Sequence, residues 1–232
     1  FNTPGIVSRN NSTLNNKTAD AGMKAYYALL SQAEGNGSVS QFNHPGKTFG
    51  NFSDFSYWDA VADSRIFLVE VGNGEGQIGA GGYYPSYEQY IMALDKGWHV
   101  APTNNQDNHK GKWGNANDAR DVILTDNFTE EGIYQALRDM RVYSTEDKNL
   151  EINYTVNDLP LGSTIAEVPE KLNLNVSVHD PDATDTVSKV EVVVNSGKTI
   201  HTWSDAAELA KGELSVELKP DYSYYFIRVT EA

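Results

Sequence analysis

The chain has 232 residues, room for one large domain or two modest ones, and its 39% hydrophobic and 22% charged residues fit a globular protein. Four Trp, eight Phe and thirteen Tyr supply a sizeable core and argue against intrinsic disorder. The net charge of -14, with 18 scattered basic residues, disfavours nucleic-acid backbone binding. No apolar run reaches the length of a membrane span, and the absence of cysteine removes disulfides, thiolate metal sites and cysteine nucleophiles.

In chain order, residues 1–17 are Asn-rich and read as loop. Thr18 is the expected N-cap of a helix in which Met23, Tyr26, Tyr27 and Leu30 recur at helical spacing, with Gly35 to Gly37 ending it. A short strand is predicted at 39–42, broken by Asn43-His44-Pro45-Gly46, and a helix at 55–62. Residues 65–71 are apolar on both faces, the pattern of a strand buried in a parallel sheet. A Gly-rich loop follows over 72–82. Ser86 is the expected cap of the next helix, and Gly97 its end. Further strands are predicted at 98–102 and 119–125, and a helix capped by Thr129 carries Ile133, Ala136, Leu137 and Met140 on one face. Strand-then-helix alternation over the first 145 residues predicts parallel strands with crossover helices. Beyond Arg141 only period-2 segments remain, at 172–178, 189–194, 214–218 and 224–229, which predict an antiparallel sheet or sandwich. The expected fold class is therefore α/β followed by all-β, with residues 1–148 and 149–232 as the two domains. Phe1 is not a start methionine and a strand ends close to Ala232, so the chain reads as a piece of a longer polypeptide.

Among five histidines, His44 and His109 lie in loops that directly follow predicted strands, where parallel α/β folds place their sites. Asp107 and His109 are two apart, which in extended backbone puts a carboxylate and an imidazole on one face, half of a typical N/O metal site. The alternative is an ordinary polar loop for this pair, and a turn-shaping histidine for His44. Glu70 ends the buried strand and would orient substrate or a ligand, or else lie solvated beyond the strand end. Arg141 would pair with a substrate anion, or form a structural ion pair. Residues 74–79 match G-x-G-x-x-G, but no helix opens at once, so dinucleotide binding is rejected. Tyr83, Tyr84 and Trp113 would line a pocket, or pack as surface aromatics. Asp180, Asp182 and Asp185 offer calcium-type oxygen ligands without the spacing of a known calcium motif, and their turn residues favour a polar hairpin turn. His179 and His201 are expected on the surface of the β region.

The segments Phe-Asn-His-Pro-Gly (42–46), Phe-Leu-Val-Glu-Val-Gly-Asn-Gly (67–74), Gln-Asp-Asn-His-Lys-Gly-Lys-Trp-Gly (106–114) and Ile-Tyr-Gln-Ala-Leu-Arg-Asp-Met-Arg-Val-Tyr-Ser-Thr-Glu-Asp (133–147) occur in that order. The series resembles the C-terminal part of a PHP-superfamily (polymerase and histidinol phosphatase) metallohydrolase, in the branch similar to carbaryl hydrolase, whose members often carry a β-sandwich. The resemblance covers residues 1–150 well and 150–232 loosely. It implies part of a distorted (β/α)7 barrel holding two or three divalent transition-metal ions (Zn, Mn or Fe) at its mouth. It implies His44, Asp107 and His109 as metal ligands, with Asp107 and His109 also serving catalysis. The family's earlier ligands have no counterpart here and would belong to a segment before Phe1. The implied chemistry is phosphoester hydrolysis by a metal-activated water in a secreted or cell-surface bacterial protein. The rival expectation is a non-catalytic surface binding or adhesion module on a degenerate barrel.

Overall fold

A computed structural model describes residues 19–31 and 38–232, divided into two units, 1–146 and 147–232. The predicted loop at 1–17, the Thr18 cap and the Gly35 to Gly37 stop lie outside the described residues.

The first unit is organised around strand β2 (Ile66–Asn73), buried along nearly its whole length. Strand β1 (Ser40–Phe42) and strand β4 (Ala101–Asn105) both pair with β2 in parallel, one on each edge. Strand β3 (Tyr84–Pro85) adds an antiparallel contact at the end of β2. Parallel neighbours require crossovers, and two helices supply them. Helix α2 (Ala60–Asp63) runs between β1 and β2, and helix α3 (Tyr87–Asp95) between β2 and β4. Helix α1 (Ala19–Leu30) buries Met23, Tyr26 and Leu30 in a core with Phe42, Phe55, Ile66, Val69 and Trp98.

Several local expectations shift. The helix predicted at 55–62 is confined to α2, because Asp59 caps it by accepting from the amides of Val61 (2.9 Å) and Ala62 (3.2 Å). Upstream, residues 52–55 all take positive φ and turn Phe55 inward, where its carbonyl accepts from the Trp98 indole at 2.9 Å. Ser86 precedes α3 without capping it, since its hydroxyl donates to the Glu70 carbonyl at 3.0 Å. Thr129 does cap helix α4 (Glu130–Arg138), accepting from the Gly132 amide at 3.1 Å. Strand β5 (Arg120–Ile123) and strand β6 (Val142–Thr145), joined through α4, pair antiparallel rather than continuing the parallel pattern. Periodicity identifies a strand but carries no information on its partner's direction. Among the described residues no sheet closes into a barrel.

The second unit is all β apart from one helical turn, α5 (Ala206–Leu209), and a short 3-10 segment. One sheet has the order β12-β9-β7-β8, built from β7 (Glu151–Val156), β8 (Leu159–Pro160), β9 (Leu172–His179) and β12 (Glu213–Leu218). The other has the order β11-β10-β13, built from β10 (Val187–Val194), β11 (Lys198–Trp203) and β13 (Tyr225–Glu231). All pairings are antiparallel. Leu174, Val176 and Val178 of β9 meet Val190, Val192 and Trp203 of the other sheet in one core, the arrangement of a sandwich. The strict alternation of buried and exposed residues along β9 is what one wet and one dry face demand.

Candidate functional site

Strands β1, β2 and β4 run the same way, so their carboxyl ends share one edge of the sheet. His44 stands two residues beyond the end of β1, and Asp107 two residues beyond the end of β4. Both take left-handed backbone, with φ of 38° and 45°. Asp and His adopt that conformation more readily than most non-glycine residues, and both positions sit in the loops at this edge.

Between them, on β2, sits Glu70. Its expected solvation beyond the strand end is overturned: the residue is only 3% exposed. A buried carboxylate requires donors, and three converge on it. The His44 amide donates to Oε2, the Asn105 side chain donates to Oε1 at 2.8 Å, and the Asn73 side chain lies 3.3–3.4 Å from both oxygens. Burial nevertheless outweighs these donors and raises the Glu70 pKa above the ordinary carboxylate range. Around it, Thr103 donates to Gln41 at 2.9 Å, tying β4 to β1. Asp121 of β5 accepts from the Asn104 amide and has its pKa pushed up to about 6, chiefly by burial, with a contribution from Glu70. Motif reasoning missed Asn73, Thr103, Asn105 and Asp121. Their one visible signal is the run Thr-Asn-Asn closing a buried strand, polar where solvation alone does not explain it.

Asp107 and His109 lie near one another (His109 Nδ1 to Asp107 Oδ1 3.9 Å), not through the extended backbone expected, since Asp107 is left-handed, and both are exposed, with 48% and 76% of their side chains accessible. His109 Nδ1 lies 2.6 Å from the Asp107 carbonyl. That contact orients the ring and leaves Nε2 outward, a common preparation for metal ligation. The loop is tied to the Gly-rich loop: Asn108 donates to Glu75 at 2.9 Å, Lys110 pairs with Glu75 at 2.9 Å, and Asn117 donates to the carbonyls of Gly74 (3.0 Å) and Gly76 (2.8 Å). Among the described residues, no three His, Asp or Glu ligand atoms within 4.8 Å of one another include His44, Asp107 or His109.

Arg141 is placed elsewhere. It precedes β6, whose far end, Thr145, accepts from Asn104 beside the polar cluster. Four residues of strand are roughly 13 Å. The Arg141 guanidinium donates to the Asp139 carbonyl at 3.2 Å, so the structural reading fits it better than substrate contact. Tyr83 is 5% exposed and donates to Glu146 at 2.7 Å, whereas Tyr84 and Trp113 are exposed at 44% and 80%. Phe49 lies between the His44 ring (4.5 Å between centroids) and the Tyr84 ring (5.8 Å). His99 is structural: its ring nitrogen pairs with Asp63 at 2.8 Å, which raises its pKa. No family model, curated protein or solved structure matches this chain. Among the described residues no helix is long and apolar enough to cross a membrane.

Proposed function

We propose that this chain carries part of the centre of a PHP-type metal-dependent hydrolase acting on phosphoesters. The observation that carries the reading is the pair of left-handed residues, His44 and Asp107, set two positions beyond the strands that flank Glu70. Open α/β sheets bind their ligands at this edge.

The donor types are those a divalent transition metal accepts, although their ligand atoms are not gathered within 4.8 Å of one another. His44 and His109 offer imidazole nitrogen and Asp107 a carboxylate, the N/O mixture that Zn, Mn and Fe accept. Three ligands do not complete a centre of two or three ions, so the reading needs additional donors. When bound, such ions lower the pKa of a coordinated water and neutralise phosphoester oxygens. The chain's own residues position and exclude. Glu70 fixes the loop that carries His44 through its backbone amide, and Asn105 fixes Glu70 from β4. The Lys110–Glu75 pair and the Asn117 contacts hold the Asp107–His109 loop. The reading extends to a secreted or cell-surface bacterial setting, with which the acidic, cysteine-free composition is compatible.

The test is elemental analysis of untagged protein reconstituted with Zn, Mn or Fe, beside a His109→Ala variant, followed by an aryl phosphate turnover assay. About one or more ions per chain, lost in the variant, with metal-dependent turnover, is the expected result. No retained metal and no turnover would overturn the reading in favour of a non-catalytic binding module.

A further inference from the structure

We infer that Phe49 and Tyr84 form an aromatic corner beside His44 that takes the planar, ring-bearing alcohol portion of a phosphoester. The inference rests on the reading of His44 as a metal ligand and adds to it the class of alcohol that the site selects.

Short, closed elements present both rings. Phe49 lies in the loop 46–50, whose ends exchange two backbone hydrogen bonds. The Gly46 amide donates to the Gly50 carbonyl at 2.9 Å, and the Gly50 amide to the Gly46 carbonyl at 2.8 Å. Tyr84 lies on β3, opposite Asn73, the last residue of β2. Asn73 reaches the Glu70 carboxylate, which accepts from the His44 amide, so ring and candidate ligand hang on one polar network. The Phe49 and Tyr84 rings meet at 81° with 5.8 Å between centroids, and Phe49 meets the His44 imidazole at 4.5 Å. A single exposed apolar side chain is ordinary. Two rings fixed against each other and against a candidate ligand are not scattered singly. Phe49 is 53% and Tyr84 44% exposed, and among the described residues neither enters the apolar cores of the first unit.

The chemistry selects the occupant. Ring faces are negative and ring edges positive, so aromatic pairs prefer offset or edge-to-face contact. Two rings near a right angle let a third lie flat on one and point its edge at the other. A saturated ring or chain of equal size gains burial alone. A group rich in hydroxyls needs polar partners, and the Phe49 ring offers none. Small-molecule sites combine apolar and aromatic walls with a few polar groups that fix orientation. Here the walls are Phe49 and Tyr84, and the polar side is the edge that carries His44.

The experiment has two arms. In the first, metal-free full chain is titrated with p-cresol and, in parallel, with its saturated counterpart 4-methylcyclohexanol, with binding read by saturation-transfer NMR. We expect p-cresol to bind about fivefold tighter than the saturated alcohol. Phe49→Ala, Phe49→Leu and Tyr84→Ala should each weaken p-cresol about threefold or more, and Phe49→Leu separates loss of the ring from loss of bulk. Phe128→Ala, which removes a 91% exposed ring ahead of α4, should change nothing. The substituted side chains are exposed, so all four variants should melt close to wild type. Equal binding of the two alcohols would overturn the proposal. So would p-cresol binding that Phe49→Ala and Tyr84→Ala retain, or that Phe128→Ala abolishes. In the second arm, metal-loaded protein is assayed for metal content and for kcat/KM on phenyl phosphate and methyl phosphate. Phe49→Ala should lower the phenyl-to-methyl ratio with metal content unchanged. Loss of metal in Phe49→Ala with p-cresol binding intact would reduce Phe49 to a support for the imidazole and overturn the proposal. Ring-selective binding in the first arm without metal-dependent turnover in the second would sustain the aromatic corner and remove the hydrolase reading.

Discussion

The two units bury carboxylates in opposite ways. In the first, Glu70 sits inside a parallel sheet and is met by backbone and side-chain amides from β1, β2 and β4. In the second, Asp147, Asp180 and Asp185 bring ligand oxygens within 4.8 Å of one another, and Glu231 shares a hydrogen bond with Asp180. The contrast teaches how each unit handles carboxylate charge. One meets it with fixed N–H donors that order an edge, and the other sets carboxylates beside one another, which raises the Glu231 pKa.

Removing the carboxylate of the first unit breaks the contrast most severely. Glu70→Ala strands the His44 amide and the Asn73 and Asn105 side chains, and should cost about 3 kcal/mol in urea unfolding. A comparable substitution in the second unit, Glu231→Gln, should not destabilise metal-free protein. Next in size is Gly72→Ala, on the same strand as Glu70. A Cβ there would strike Asn104 Oδ1 and the Tyr83 hydroxyl, so a loss of about 2 kcal/mol in thermal melts is expected.

The pH dependence sharpens the comparison further. Asp121 is raised from 3.8 to about 6 and Glu231 from 4.5 to about 7. A carboxyl whose folded pKa is raised binds its proton more tightly in the native state. Its contribution is full below the unfolded pKa and lost as pH rises through the folded one. Metal-free protein should therefore lose stability from about pH 4 to pH 7. Asp121→Asn should flatten the lower part of that window and Glu231→Gln the upper part, each by about 1.5 kcal/mol once solvent screening is allowed for. Denaturant melts across pH read both, and a profile unchanged in either variant would remove that carboxyl from the account. The smallest effect belongs to Lys148→Ala, which removes an exposed pair with Asp182 and should leave the Tm nearly unchanged in thermal melts.

Much of the scaffold was legible from periodicity. The buried strand predicted at 65–71 is β2, and the alternating segments after residue 172 are β9, β10, β12 and β13. Sequence position also placed His44, Asp107 and His109 in loops after strands, whereas the extended backbone expected between Asp107 and His109 is not formed, since Asp107 is left-handed. Less was legible of what surrounds them. Glu70 reads as a polar residue near a strand end, and nothing local announces that Asn105, 35 residues on, will donate to it. Asp180 and Asp185 were visible as an acidic loop, but Asp147 approaches them, and Glu231 approaches Asp180, only through strands distant in sequence.

The sequence by itself marked β2, α3, α4 and four strands of the second unit, without bounding β3, β7, β8 or β11, because hydrophobic period and turn residues act over a few neighbours. It also determined the change from alternating helix and strand to strand alone, and the spacing of the candidate ligands. Tertiary structure decided the rest: the antiparallel turn of β5 against β6, the burial of Glu70, and the meeting of Asp147 with Asp180 and Asp185. Strand partners and the desolvation of a charge depend on residues remote in the chain. Their energies exist only once those residues are packed together.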